Sequence, residues 1–189
     1  MEGRTADMKI SQIDRMRYNG EKMPSFQKYY RKCQEQRCKI IHLLYRCLFA
    51  YFKRKSHIEL YFKTEIGEGL YIGHPYNITI NKNVVIGKNC NIHKGVTIGQ
   101  ENRGERKGTP VIGNYVWIGV NATITGQIEI GNDVMIAPNT FVNCNVPSHS
   151  IVFGNPCIIK HKDFATEGYI NHTIDRKGEM SYYDIHKTG

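Results

Sequence analysis

VIGNYVWIGVNATITGQIEIGNDVMIAPNTFV, residues 111–142, sets a branched apolar residue at every sixth position: Ile112, Ile118, Ile124, Ile130, Ile136 and Val142. Neither the period of an α-helix nor the alternation of an ordinary strand generates that spacing. Toward the N-terminus the ladder continues as Ile80, Ile86, Ile92 and Ile98 and, in a further register, as Ile66, Ile72 and Ile78. Glycine follows the rung residue at Gly67, Gly73, Gly87, Gly99, Gly113, Gly119 and Gly131, where it suits a tight corner without Cβ strain. Four residues beyond the rung a small or branched residue recurs, as in Val84, Val96, Val116, Ala122, Ile128, Val134 and Thr140. A six-residue repeat of this kind is the signature of a parallel β-helix: each unit supplies one short face, three faces close a triangular coil, and the rungs stack inward as the core. A sandwich of alternating strands needs period two, with no fixed phase of six.

The ladder breaks twice. Ile78 and Ile80 are separated by two residues, and Ile98 and Ile112 by fourteen. The second break, QENRGERKGTP at 100–110, carries Arg103, Arg106 and Lys107 with two glycines and must leave the coil as an exposed loop. Loops on a rigid scaffold are where binding residues concentrate. With three hexads per coil and the slip included, Ile72 lies one coil below Ile92, which puts His74 below His93 and Lys94.

A chain of 189 residues, 40% hydrophobic, suits one core domain with modest appendages. Cysteines at 33, 38, 47, 90, 144 and 157 lack metal-ligand spacing, and Cys90 and Cys144 fall within the repeat where small buried residues belong. They read as reduced thiols of a cytoplasmic protein. The N-terminal stretch MEGRTADMKISQIDRM has no apolar signal region, and no apolar run approaches the roughly 18 residues of a membrane span. The net charge of +9 is spread over the terminal region, the loop and the tail, without a stacked-aromatic or recognition-helix motif, which argues against nucleic acid as a partner. A basic surface also suits a phosphorylated cofactor or an anionic membrane.

Residues 1–57 read as an N-terminal helical region. Pro24-Ser25 marks a helix start with Ser25 as its cap, and the helix is expected to continue to about Lys55. Its second half, KIIHLLYRCLFAYFKRK, is apolar nearly all round and needs a cover: the base of the β-helix, a neighbouring subunit or a membrane surface. A helical cap over the open end of a β-helix would also shield its unpaired strand edge. The β-helix is expected over 58–160, ending where Gly154-Asn155-Pro156 turns the chain out of the coil. The tail, 161–189, has no clear period and is expected to be only partly ordered.

Histidine titrates near neutrality and is the usual general base for a hydroxyl proton. His74 and His93, stacked across the slip, are the candidates, and spacing alone does not choose between them. His149, His161, His172 and His186 read as solvated side chains.

The ladder, GLYIGHPYNITI, VVIGKNCNIHKGVTIG, the basic loop and the closing VPSHSIVFGNPCIIK together resemble the hexapeptide-repeat acetyltransferases, in particular their serine acetyltransferase-like branch. That branch includes enzymes of cysteine biosynthesis and enzymes that O-acetylate sugars of surface polysaccharides. The resemblance covers about 58–160 and implies a left-handed β-helix, a homotrimer and acetyl-CoA as acyl donor, with no metal. It makes His74 the catalytic base, with Gly73 where serine acetyltransferases usually have aspartate, and matches the orienting acid to Glu59, with Glu65 as the other carboxylate to consider. A carboxylate partner would fix the imidazole tautomer and stabilise the imidazolium. Backbone near Gly99, Gly119 and Ala137 would contact the pantetheine arm, and Arg103, Arg106 or Lys160 its phosphates. Trp117, the only tryptophan, is expected outward near the groove between adjacent coils of two subunits, where the resemblance places the donor, or in packing between subunits. His93 and Thr109 are the expected acceptor-binding residues. Thr109 stands before Pro110, where serine acetyltransferases carry a histidine that serves the amino-acid acceptor, and the helical N-terminal region is much shorter than theirs. Both departures favour a sugar hydroxyl, as a small molecule or glycan, over serine. Membrane-surface contact through 39–55 would then keep a cytoplasmic enzyme at the inner face of the membrane.

Two other readings stand beside this one. The chain is a serine O-acetyltransferase, or it is a noncatalytic β-helix scaffold or carbonic-anhydrase-like metalloprotein. The metal version needs three converging histidines, and His74 and His93 supply two.

Overall fold

The computed structural model describes residues 8–177 and Glu179. Residues 178 and 180–189 of the expected tail, His186 among them, and the first seven residues of the N-terminal region lie outside the described residues. Each coil visits three faces in turn. The first holds β1 (Glu65–Ile66), β4 (Val85–Ile86), β7 (Val111–Ile112) and β10 (Glu129–Ile130), all parallel. The second holds β2 (Tyr71–Gly73), β5 (Asn91–His93), β8 (Val116–Ile118), β11 (Val134–Ile136) and β13 (Ser150–Phe153). The third holds β3 (Thr79–Ile80), β6 (Thr97–Gly99), β9 (Thr123–Thr125) and β12 (Phe141–Val142). A last strand, β14 (Ile158–His161), folds back antiparallel on β13 and closes the upper end.

Three columns of branched side chains form the core: Ile66, Ile86, Ile112 and Ile130; Ile72, Ile92, Ile118, Ile136 and Val152; Ile80, Ile98, Ile124 and Val142. Ile72 pairs with Ile92, as the counting with the slip requires. Ile78 is not a rung. It is buried as the inward residue two before rung Ile80, the place Val96 holds before Ile98. The two extra residues therefore enlarge the corner between the second and third faces, which here runs through His74, Pro75, Tyr76 and Asn77, where the next coil uses Lys94 and Gly95.

The glycines after the first-face rungs answer to crowding rather than to turning. A Cβ on Gly87 would lie 2.5 Å from the Gly113 carbonyl oxygen, and one on Gly113 2.7 Å from that of Gly131. The left-handed conformation falls to other residues, among them Asn77, Asn89, Tyr115, Asn121, Asp133 and Asn139. Asparagine is among the few side chains that visit it readily. Beside the glycines, the Asn114 Oδ1 accepts from Lys88 N, and the Asn132 Oδ1 from Asn114 N, tying coil to coil.

Three helices precede the coil: α1 (Ile10–Met16), α2 (Ser25–Glu35) and α3 (Lys39–Lys55). The single helix expected from Pro24 to Lys55 is thus a pair, broken where Gln36 and Cys38 take extended conformations and the Gln36 side chain accepts from Cys38 N. No glycine or proline marks the break. Pro24 holds the cap position and Ser25 is the first helical residue. The break lets α3 fold back on α2, stacking Phe52 on Tyr29 and Phe49 near Tyr30.

α1 and α2 close the lower end with side chains. Buried Asp14 accepts from the amides of Gly69 and Leu70, and the Tyr18 hydroxyl accepts from Ile72 N. Gln27 donates to the Leu70 carbonyl, and Arg31 donates to the carbonyls of Ile66 and Gly67 while paired with Asp14. The polar groups of the lowest strand edge are satisfied by side chains instead of a further coil.

Cys90 is buried within the repeat, as expected, but Cys144 is only half-buried at a corner, its sulfur 3.6 Å from that of Cys157. The tail is docked as far as it is described. Asp133 accepts from the amides of Ala165 and Thr166, Ile170 and Ile174 are buried, and Arg176 donates to Glu68. Among the described residues no helix is long and apolar enough to cross a membrane.

Candidate active site

The enlarged corner after β2 presents His74 to solvent with positive φ, directly after Gly73. Gly73 pairs with His93 one coil above, and the His93 ring lies over it. The two histidines are neighbours in charge: burial first, and His74 second, hold His93 below the ordinary histidine value of 6.5. His93 is thus kept neutral, and its Nε2 is buried without a hydrogen-bond partner. His74 is the exposed one.

Glu59 stands on the third face, one coil below β3. Its amide donates to the Ile78 carbonyl, its carbonyl accepts from Ile80 N, and its carboxylate is exposed. It forms no hydrogen bond or ion pair with His74 among the described residues. Glu65 begins β1 on the first face, in register with Val85, so it does not belong to the His74 corner.

Outside the second face lies a cavity of about 360 Å³. Its floor is the outward residues of β2, β5 and β8, namely Tyr71, Asn91, His93 and Trp117, and its rim comes from Arg17, Glu21 and the tail residues Tyr169 and His172. A chain of rings crosses it: Tyr18 to Tyr71 at 4.8 Å between centroids, His93 to Trp117 at 4.8 Å and Trp117 to Tyr169 at 5.0 Å. Trp117 points outward, as expected, and packs between His93 and Tyr169 of the tail. Arg17 ties roof to floor by donating to the Asn171 carbonyl and to the Asn91 side chain.

The residues expected along the donor fall into two sets. Gly119 and Ala137 follow rungs Ile118 and Ile136, in the vertical line that Gly73 and His93 begin. Above Ala137 the line continues at Phe153, which pairs with Ile158, and the Lys160 ammonium lies over the Phe153 ring. Gly119 itself is required by crowding, since a Cβ there would lie 2.6 Å from Pro138 N. Gly99, Arg103 and Thr109 belong to the other edge of the third face, where the loop leaves. A Cβ on Gly99 would meet nothing within 4 Å, so that backbone is open to a ligand. The loop forms a small hairpin through Glu101 and Gly108, Arg103 is exposed, and Arg106 lies 3.5 Å from Glu101. The Thr109 hydroxyl donates to the Asn83 carbonyl, which clasps the loop to the coil below. In one chain the third face separates this set from His74.

Sequence reasoning named His93 and missed the rest of the cavity's polar lining. Tyr71 and Asn91 occupy outward positions of recognised repeats and were legible as such. Arg17, Tyr169 and His172 come from segments without a period, and nothing in their spacing signals that they meet.

Residues 109–144 match the family model described as bacterial transferase hexapeptide (six repeats). Serine acetyltransferase 2 of Arabidopsis thaliana is 37% identical over 136 residues, 66% of this chain and 42% of that protein. Serine acetyltransferase of Staphylococcus aureus is 37% identical over 106 residues, 56% of this chain and 50% of that protein. The chain thus spans about half the length, or less, of these relatives. Among solved structures, the soybean serine acetyltransferase apoenzyme superposes with a TM-score of 0.58 at 25% identity, covering 72% of this chain and 55% of that one. The Brucella abortus serine acetyltransferase structure superposes with a TM-score of 0.67, covering 83% of this chain and 70% of that one, but at 22% identity it speaks for the fold alone. Repeat, coil and matches agree: the chain carries the hexapeptide repeat of the bacterial transferases and is similar to the serine acetyltransferases.

Proposed function

We propose that this protein is an acetyl-CoA-dependent O-acetyltransferase whose acceptor is a sugar hydroxyl, of the kind modified in surface polysaccharides. The observation that carries the acceptor reading is the cavity over the second face, which is lined by His93, the neighbour of His74. Aromatic faces at Tyr71, Trp117 and Tyr169 suit the C–H face of a pyranose ring, while Asn91 and Glu21 suit its hydroxyls. Thr109 in place of a histidine before Pro110 points the same way.

In this reading His74 accepts the proton of the acceptor hydroxyl, and the resulting alkoxide attacks the acetyl carbonyl. Backbone at Gly99 stabilises the oxyanion, and His74 returns the proton to the departing thiolate. Acetyl-CoA supplies the activated acetyl group. The backbone at Gly119 and Ala137, with Lys160 near Phe153 above, and the open backbone at Gly99 fit an extended amide-bearing arm, with Arg103 near its phosphates. Because His74 and Gly99 flank opposite edges of the third face, the site is completed between copies of the chain, in a homotrimer. Glu59 then orients His74 after its exposed carboxylate swings toward the corner. A cytoplasmic location, where acetyl-CoA is available, belongs to the same reading.

The names of the relatives favour serine as the acceptor, and one experiment separates the two. Purified protein is mixed with acetyl-CoA, and free thiol release is followed with L-serine or with a panel of hexoses and N-acetylhexosamines. Turnover is expected with a sugar, with saturable quenching of Trp117, the only tryptophan, by the same sugar without acetyl-CoA. His74→Ala should lower turnover by about 10²-fold or more and leave the quenching intact. Turnover with L-serine alone, or full activity of His74→Ala, would overturn the reading.

A further inference from the structure

Helix α3 turns only one side to the protein. Phe49 is buried, and Tyr45 and Phe52 pack beside it against α2. On the other side Ile40, Leu43, Leu44, Cys47 and Tyr51 recur at three- and four-residue intervals, which gathers them on one stripe at about 100° per residue. Ile40 is 81% exposed, Leu43 59%, Leu44 56% and Tyr51 61%. From Ile40 to Tyr51 the stripe runs about 16 Å.

The charges around it have one sign. Residues 37–55 include Arg37, Lys39, Arg46, Lys53, Arg54 and Lys55 and no acidic residue. Two of these are engaged within the chain: Lys53 donates to the Leu60 carbonyl, and Arg46 lies over the Phe62 ring. Arg37 and Lys39 at one end of the stripe, and Arg54 and Lys55 at the other, are exposed.

We propose that this face docks on an anionic phospholipid surface, with α3 lying in the plane of the interface. A flat apolar stripe with cations at both ends is the form such a surface accepts: the aliphatic side chains enter the headgroup boundary while the cations meet phosphates. Charge complementarity decides the occupant. Two copies of this face packed on each other would bring like charges together in either orientation, with no carboxylate in the segment to relieve them. The inference goes beyond acetyl transfer and does not depend on it.

The test is co-sedimentation of the full chain with vesicles. Binding is expected to phosphatidylcholine vesicles containing phosphatidylglycerol and not to phosphatidylcholine alone, and it should weaken as salt is raised. Leu43→Glu/Leu44→Glu should abolish it. Arg54→Glu/Lys55→Glu should lower the partition coefficient at least about twentyfold, since each basic residue near such a surface is worth about fivefold. The charge-reversal variant touches only exposed side chains, so it carries the test if the leucine variant fails to fold. The proposal is overturned if the wild type ignores phosphatidylglycerol vesicles or if the charge-reversal variant binds them equally well. It is also overturned if Leu43→Glu/Leu44→Glu lowers the oligomeric mass of the lipid-free protein, which would assign the face to a second copy.

Discussion

The imidazole of His93 lies across Gly73 so closely that a Cβ on Gly73 would sit 2.4 Å from Nδ1. Any side chain at position 73 must push that ring out of its place beside Trp117. Gly73→Asp, which introduces the residue the resemblance expects there, should therefore raise the acceptor KM about tenfold or more, because small displacements at an acceptor site are costly. The ring can move, so the fold should lose no more than about 1–3 kcal/mol. Steady-state kinetics and thermal melting on one preparation check both.

Neutral His93 makes stability fall with acid. Its proton affinity in the native state is below the ordinary value of 6.5, so in a falling pH series the unfolded chain takes up a proton before the native chain does. The contribution is fully present above the unfolded pKa and is lost as pH falls through it toward the native one. His93→Gln should flatten this part of the Tm profile, and the difference between the wild-type and variant curves should open only below about pH 6.5. Parallel curves throughout would remove His93 as its source.

The Asp14–Arg31 pair, at 2.7 Å with both side chains fully buried, holds α1 and α2 to the lowest coil. Removing one member leaves an uncompensated buried charge and frees several backbone groups. Arg31→Met should cost about 3–5 kcal/mol in chemical denaturation, and Asp14→Leu/Arg31→Met less than the sum of the two single changes.

Two glycines of the same repeat position should behave oppositely. Gly113→Ala forces a methyl against the Gly131 carbonyl and should destabilise by about 1–3 kcal/mol, visible in melting. Gly99→Ala meets open space and should leave Tm within the roughly 0.5 kcal/mol range of neutral surface changes, while raising the KM for acetyl-CoA. An unchanged KM would take Gly99 out of the donor site.

The coil was legible because its rungs repeat: a period of six survives any uncertainty about single residues, and the Ile72–Ile92 pairing followed from counting alone. The purpose of the glycines was not legible, since crowding by the next coil and a turn both demand the same residue. His74 and His93 could be named because they sit at fixed phases of the repeat. The roof of the cavity could not, because Arg17 and Tyr169 reach it from segments 154 and 78 residues away in sequence from their hydrogen-bonding partners Asn171 and Asn91. Contacts of that range leave no local pattern. The break between α2 and α3 was missed because it depends on the Gln36 side chain rather than on a helix-breaking residue.

Asp14, Gln27 and Arg31 address particular amides and carbonyls of the lowest coil, whereas the strands of each middle coil pair with those of the coils above and below it. The column therefore has a definite bottom but no intrinsic height. Another solenoid seeking to fuse end-on finds the Gly69, Leu70 and Ile72 amides already taken, so fibre growth from that end is closed off. A further turn of about eighteen residues, three hexads, spliced between the middle coils would meet the neighbours it needs and leave the floor undisturbed. In this architecture the helices determine where the column starts, and reach along its axis is a quantity evolution or design can adjust one storey at a time.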